Sequence, residues 1–406
     1  MKTETFDILV VGGGIAGLSM TALAAAEGFR IALIERHEPE TDVTAPGSDL
    51  RTTAYLTPAI ETLRRAGVWD AIAPHATDLA TMQLIDAGGR ENRARQRTCF
   101  EAHELSTAPE APQTFGSNIA NTAVRAALLD HLRAHDRVTL AMPATPVSIL
   151  AQEAHAQVSL AEGRRLRAPL LVGADGRGSS VREAAHINAR RIDYGQQAMV
   201  FVVEHARPHQ NTSTEIHRTG GPFTLVPHTP AGDMYRSSVV WMESNAEARR
   251  LLDLDNAAFE RELNERSLDV LGPLSLASRR VAWPVISLLA DRFVARRTAL
   301  IAEAAHVVPP IGAQGLNMSL KDAAVLVDHL VTARNAGRDL ADDRGLARYE
   351  RLRRADAAAR VAATAALNAA AIGEVDPIRR VRALGLAVLD RAPPLRRAVM
   401  QFGFGA

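Results

Sequence analysis

The sequence predicts a mixed α/β protein: a Rossmann-like nucleotide-binding domain, an inserted α+β domain and C-terminal helices. Three observations predict it. A strand, glycine turn, helix and second strand open the chain. From 193 to about 280, strand-like runs are followed by helix without βαβ alternation, the mark of an α+β unit. After 322 the chain is rich in Ala and Arg and reads as helix.

Phe6-Asp-Ile-Leu-Val-Val11 has the continuous aliphatic character of a strand buried on both faces. Gly12-Gly-Gly-Ile-Ala-Gly17 follows, then an Ala-rich helix from Leu18 to Glu27 and a strand, Arg30-Ile-Ala-Leu-Ile34, ending at Glu35. In this setting G-x-G-x-x-G is a dinucleotide fingerprint. Gly12 permits the tight turn, Gly14 lets a pyrophosphate approach the backbone, and Gly17 lets helix and sheet pack closely. Glu35 is placed to accept ribose hydroxyls, which favours FAD or NAD over NADP. Ile15, Ala16 and Arg36 complete this candidate set.

Residues 8–26 are uncharged and long enough to suggest a membrane span. Three glycines split the run, and Glu4 and Asp7 are wrong for the basic start of a signal peptide. A soluble, cytoplasmic protein is expected, with a peripheral contact at the inner membrane left open. Lys+Arg 47 against Asp+Glu 46, with 4% aromatics, argues against a nucleic-acid partner. The single cysteine, Cys99, excludes an internal disulfide and a cysteine metal cluster, and no metal site is expected.

Arg51 follows a polar loop and suits either a cofactor phosphate or solvent. A helix runs from about Pro58 to Ala66, stopped by Gly67. Leu79 to Asp86 and Arg95 to Phe100 read as strands entering early from another layer. Asn121 to His135 reads as a helix. Residues 137–166 read as an antiparallel meander beginning at Val138. A buried strand from Pro169 ends at Asp175-Gly176, where open α/β sheets bind ligands, and a helix begins near Ser179. Trp283-Pro284 and Phe293-Val294 return the chain to the first domain.

An apolar run from Thr298 then ends at Glu303. Pro309 and Pro310 forbid regular structure, Gly312 and Gly315 remove side-chain bulk, and a helix runs from Leu316 to about Leu330. A glycine loop opening a helix presents free N–H groups and a positive dipole end to something electron-rich. His306 is the loop's other titratable residue; a hydrogen-bonded structural role outweighs a catalytic one.

Three local sequences narrow the identity: Asp49-Leu-Arg-Thr-Thr-Ala54, Phe115-Gly-Ser-Asn-Ile-Ala-Asn121 and Glu303-Ala-Ala-His-Val-Val-Pro-Pro-Ile-Gly-Ala-Gln-Gly-Leu-Asn317. With the fingerprint and Asp175-Gly176, the chain resembles, over nearly its whole length, the flavin-dependent aromatic hydroxylases of the para-hydroxybenzoate-hydroxylase fold. Within them it is most similar to the ubiquinone-biosynthesis hydroxylase family. The resemblance implies FAD as cofactor, NAD(P)H as transient reductant, and O₂ transferred through a C4a-hydroperoxide to the ring of a polyprenylated phenol, and it leaves open a contact with a ubiquinone-biosynthesis complex. It implies that Gly12, Gly14, Gly17 and Glu35 hold the ADP half, that Arg51 lies along the cofactor, and that Asp175 and Gly176 serve FAD and the nicotinamide. Glu303 would bind ribityl or ribose hydroxyls. Gly315, Leu316 and Asn317 would offer N–H groups to the flavin, and Pro309 and Pro310 would line its boundary with substrate. Two departures stand out: Ala302-Glu303 replaces the family's usual Gly-Asp, and Ser117 stands where many relatives have an aromatic.

The expected division gives 1–75, 105–185 and 285–360 to the FAD-binding domain, 76–104 and 186–284 to a substrate domain, and 361–406 to C-terminal helices. The alternatives are a hydroxylase of another aromatic compound, such as a soluble aromatic acid, and a flavin-binding assembly subunit. An apolar channel favours the prenylated substrate, and an arginine placed for a carboxylate favours the acid.

Overall fold

The computed structural model of the chain describes residues 3–87, 96–105, 114–218, 220–372 and 392–404. Among them, a six-stranded sheet has the order Val294–Ala295, Thr298–Leu300, Leu170–Gly173, Ile8–Val11, Ile31–Ile34, Val138–Ala141. All neighbours run parallel except the first pair. Ile8–Val11, Ile31–Ile34 and Leu170–Gly173 are buried at every position, which is why they are uninterrupted aliphatic runs. The helix Ile15–Ala26 packs between this sheet and the helices Asn121–Arg133 and Gln314–Asn335.

One expectation is corrected here. Val138–Ala141 is not part of the meander; it pairs parallel with Ile31–Ile34. The helix Asn121–Arg133 just before it acts as a crossover that delivers the strand parallel to its neighbour. As an edge strand it is only half-buried, so its composition matches a meander strand equally well. The remaining strands, Pro146–Ala151, Ala156–Leu160 and Arg165–Ala168, form a separate four-stranded sheet with Thr3–Thr5.

A nine-stranded sheet, again among the described residues, forms the second layer. Its order is His306–Val307, Val281–Ala290, Ala189–His205, Met234–Ser244, Gly221–Ala231, Thr212–Arg218, Thr81–Asp86, Gln96–Glu101, with Ser275–Leu276 beside Ala189–His205. The early strands thus enter this sheet, Thr81–Asp86 lying parallel to Thr212–Arg218. The predicted helical stretch after Asn245 forms two helices, Asn245–Asp253 and Asn256–Ser267, N-capped by Ser244 and Asp255. Leu251, Phe259 and Leu263 bury them against Phe201 and Trp241 of the sheet. Ala189–His205 shifts register against Val281–Ala290 between Asp193 and Gln197, and Gly195 takes φ +66 there.

Two expected boundaries, at 284/285 and 360/361, fall inside continuous elements, Val281–Ala290 and Asp343–Ile372. The expected break at 373–377, the turn after Ala87 and most of the Pro-rich 106–114 stretch lie outside the described residues. Pro393 and Pro394 open the helix Pro393–Phe404. No helix among the described residues is long and apolar enough to cross a membrane.

Candidate functional site

The glycines of the first turn have two separate jobs. A Cβ on Gly12 would lie 2.2 Å from Ala174 O, and one on Gly17 1.9 Å from Gly12 O, so both are demanded by backbone packing. A Cβ on Gly14 would meet no atom within 4 Å. Gly14 instead opens onto a cavity of about 670 Å³. The helix that it precedes has no side-chain cap, so its first N–H groups are available to an anion. Glu35 lies across the turn, its Oε2 accepting from Gly13 N at 2.5 Å and its Oε1 from Arg36 N at 2.7 Å.

The cavity gathers the candidate residues from across the chain. Gly12, Gly14, Ile15, Ala16, Glu35 and Arg36 line one end. Arg51, Asp175, Gly176 and Glu303 follow, then His306, Pro309, Pro310, Gly312, Gly315 and Leu316. Gly17 and Asn317 are not in the lining. For Gly17 that matches its packing role. The side chain of Asn317 is engaged within the protein: Oδ1 accepts from Leu56 N at 2.9 Å, and Nδ2 donates to Ala54 O at 2.7 Å. Asn317 therefore ties the loop helix Gln314–Asn335 to the strand Thr52–Leu56 that follows Arg51.

Arg51 is held by partners that sequence reasoning missed. Its Nε and Nη2 each donate to Asp49 at 2.8 Å, and its guanidinium stacks 4.6 Å from the centre of the Trp283 ring. Burial pushes the Asp49 carboxyl up, but Arg51, with help from Asn121, holds it below its ordinary value. Asp175, which lines the cavity, also organises its own turn. Its carboxylate accepts from Ser180 N at 2.7 Å, Val181 N at 3.1 Å and Ser179 Oγ at 2.5 Å. It thereby caps the helix Ser180–Ala184 and fixes the turn at Gly176, φ +81, beside the cavity.

The loop is anchored from beneath. Ala302 N donates to Asp322 Oδ2 at 3.0 Å, His306 Nε2 lies 2.7 Å from the same oxygen, and Arg353 Nε donates to Oδ1 at 2.7 Å. Burial pushes the Asp322 carboxyl up, while His306, Arg353 and the Ala302 N–H together bring it below its ordinary value. His306 is thus a buried, hydrogen-bonded residue whose ring also reaches the cavity wall. Glu303 is half-exposed, with Arg177 Nε 3.5 Å away. Gln314, first residue of the loop helix, donates to Gly312 O and Gly403 O at 2.7 Å and accepts from Arg360. The helix has no side-chain cap, so its first N–H groups also face the cavity end lined by Gly315 and Leu316. Asp322 carried one signal in the sequence, an acid within a helix face of apolar residues; its partner Arg353 carried none.

The cavity continues along one face of the nine-stranded sheet. Met82, Val200, Val226 and Val240 make that wall apolar, and Ser213, Glu215 and Thr224 are its polar points. Among the described residues this sheet contributes no Lys or Arg to the lining. The lining, which runs from the first glycine turn to the sheet wall, suits an elongated cofactor. Gly14, Gly176 and Gly315 all line the cavity, and a Cβ on any of them would meet open space.

Comparison with known proteins agrees with this geometry. The family described as FAD binding domain matches residues 5–364. Ubiquinone hydroxylase UbiL of Rhodospirillum rubrum is 33% identical over 98% of this chain and 89% of its own length. The 3-demethoxyubiquinol 3-hydroxylase of Escherichia coli is 29% identical over 100% of both chains. Among solved structures, p-nitrophenol 4-monooxygenase PnpA of Pseudomonas putida superposes with a TM-score of 0.77 at 21% identity, covering 100% of this chain and 99% of that one, a likeness of fold. The matched stretch runs from ahead of the first glycine turn, through the proline–glycine loop, into the helix that supplies Arg353 and Arg360. This chain belongs to the FAD binding domain family, and its cofactor is FAD.

Proposed function

We propose that this protein is an FAD-dependent monooxygenase that hydroxylates the aromatic ring of a polyprenylated phenol in ubiquinone synthesis, with NAD(P)H as transient reductant and O₂ as oxidant. The names of the two relatives support the substrate class. The observation that carries the reading is the sheet wall: apolar, with one acid and, among the described residues, no cation. A carboxylate-bearing ring would bury an unpaired charge there, next to Glu215. A neutral phenol with a hydrocarbon tail would not. A peripheral contact at the inner membrane, to admit that tail, belongs to the same proposal.

Within this reading, Gly12, Gly14, Ile15, Ala16, Glu35 and Arg36 hold the ADP half of FAD. Arg51, braced by Asp49 and Trp283, lies along the cofactor, and the Asp175-Gly176 turn and Glu303 border it. Bound FAD supplies the oxygen-transfer chemistry. The chain's own part is placement, water exclusion and electrostatics. The free N–H groups at Gln314, Gly315 and Leu316 stabilise negative charge building beside them. Pro309 and Pro310 form the border with substrate, and His306 holds the loop. The nine-stranded sheet, drawn largely from 76–104 and 186–284 and completed by Val281–Ala290 and His306–Val307, is the substrate wall.

Complementation of strains lacking single ubiquinone hydroxylases, with analysis of accumulated intermediates, tests this. Rescue of one strain with the matching hydroxylated product is expected. Failure in every strain, with substrate-stimulated NAD(P)H oxidation on another aromatic compound, would assign that alternative. Purified protein that cannot take up FAD would assign the assembly role.

A further inference from the structure

The substrate end of the cavity contains an ionisable pair that no cofactor contact uses. Glu215 and His217 are two residues apart on the strand Thr212–Arg218, so their side chains leave the same face. His217 Nε2 lies 2.5 Å from Glu215 Oε1, with the side chains 14% and 10% exposed. Glu215 lines the cavity; His217 does not. Across the sheet, Glu215 pairs with Thr224, Thr224 with Val240, and Val240 with Val200. Glu215 is therefore the single charged point in an otherwise apolar or hydroxyl-bearing row. His217 stands behind it, with Asp86 as its neighbour on the adjoining strand. The other acids of the lining are engaged elsewhere: Glu35 on Gly13 N, Asp49 on Arg51, Asp175 on a helix start, and Glu303 beside Arg177.

We infer that Glu215 is a catalytic residue, accepting the hydrogen bond and then the proton of the substrate's ring hydroxyl, with His217 as the positioning residue that orients it and passes the proton on. This rests on the phenol-hydroxylase reading above. Before reaction the hydroxyl donates to the carboxylate. As the ring gives an electron pair to the incoming oxygen atom, a C–O bond forms at the ring carbon and the O–O bond of the activated dioxygen breaks, the second oxygen leaving with that bond's electrons to end as water. The O–H bond breaks, its electrons become the second bond of a ring carbonyl, and its proton moves to Glu215. The dienone then loses the proton of the attacked ring carbon, its carbonyl oxygen takes up a proton, and the ring becomes aromatic again. A free phenol is too weak an acid for a carboxylate to ionise. Its O–H becomes strongly acidic only as the ring loses electron density, and at that point a carboxylate is basic enough. The neutral Glu215 then returns its proton through His217, whose imidazole reaches the edge of the protein.

The test uses FAD-loaded protein with a short-chain prenylated phenol and its O-methyl ether, both read by perturbation of the flavin absorbance. The wild type is expected to prefer the phenol over the ether by about tenfold or more, and Glu215→Gln to lose most of that preference. Product formation by Glu215→Gln is expected to fall by a factor of about 10² or more, the scale of a lost general base, with consumed O₂ appearing as hydrogen peroxide. Glu215→Asp, which keeps the carboxylate, should recover part of both. His217→Gln should lower kcat with little change in KM. An unchanged phenol preference in Glu215→Gln, or product formation within twofold of wild type, overturns the assignment. A wild type that binds the phenol over the ether but never hydroxylates a prenylated phenol overturns the proposed function instead. The binding comparison still decides the place of Glu215 in that case.

Discussion

His306 Nε2 lies 2.7 Å from Asp322 Oδ2, with side chains 1% and 0% exposed. That bond closes a cluster in which one carboxylate also takes the Ala302 N–H and the Arg353 guanidinium. Arg353 in turn donates to Asp356 at 2.7 Å. The start of the cofactor loop is thus fastened to the long helix Asp343–Ile372 through Asp322 and Arg353, and Tyr349 of that helix donates to Leu300 O at 2.8 Å just ahead of it.

Asp322→Asn keeps the shape and removes the charge. It leaves Arg353 buried against a neutral amide, and loss of one partner of a buried pair costs about 3–5 kcal/mol. Urea unfolding should show a loss of this size, together with weaker FAD retention because the loop is no longer held. A change under about 1 kcal/mol would mean that the cluster does not anchor the loop.

Ala302 takes φ +56 at the position where the family resemblance leads one to expect glycine. A left-handed conformation costs a non-glycine residue roughly 1–2 kcal/mol, partly offset because alanine restricts the unfolded chain. Ala302→Gly should therefore stabilise the protein by about 1 kcal/mol, seen as a raised denaturation midpoint.

Gly12 and Gly14 should fail differently. Gly14→Ala places its methyl in open space at φ −68, so the unliganded fold should keep its stability while FAD affinity falls. Gly12→Ala meets Ala174 O at 2.2 Å and has φ +115, so the fold itself should lose several kcal/mol. Denaturation without FAD, beside a flavin titration, separates the two. Equal stability losses would show that Gly14 is a packing glycine.

Stability should fall as pH drops below neutrality. Burial lowers the pKa of His131, His205, His209, His228 and His329. The native state keeps these rings neutral after the unfolded chain has begun to protonate near its ordinary 6.5. The unfolded state then binds more protons, so this stability is full above about 6.5 and is lost as pH falls through that value toward the lowered native values. Thermal midpoints between pH 7.5 and 5.5 should decline, and a His209→Gln, His228→Gln double variant should show a shallower slope.

Much of the site was legible in the sequence because it is local. A strand, a glycine turn and an acid at the next strand's end follow one another within residues 6–35, and the proline–glycine loop is a single run. The backbone conformations these residues permit are nearly sufficient to define both ends of the cavity. The sequence by itself determined the fold family, FAD as the cofactor and the unusual Ala302-Glu303. Only the tertiary structure decided which partners hold them. Asp49 and Trp283 clasp Arg51, Asp322 and Arg353 fasten the loop, Val138–Ala141 joins the parallel sheet, and Glu215 faces the cavity rather than the opposite side of its strand. Each depends on sheet register or on contacts between segments distant in the chain. A polar side chain's role is set by what burial places against it, and no spacing rule within one segment can supply that partner.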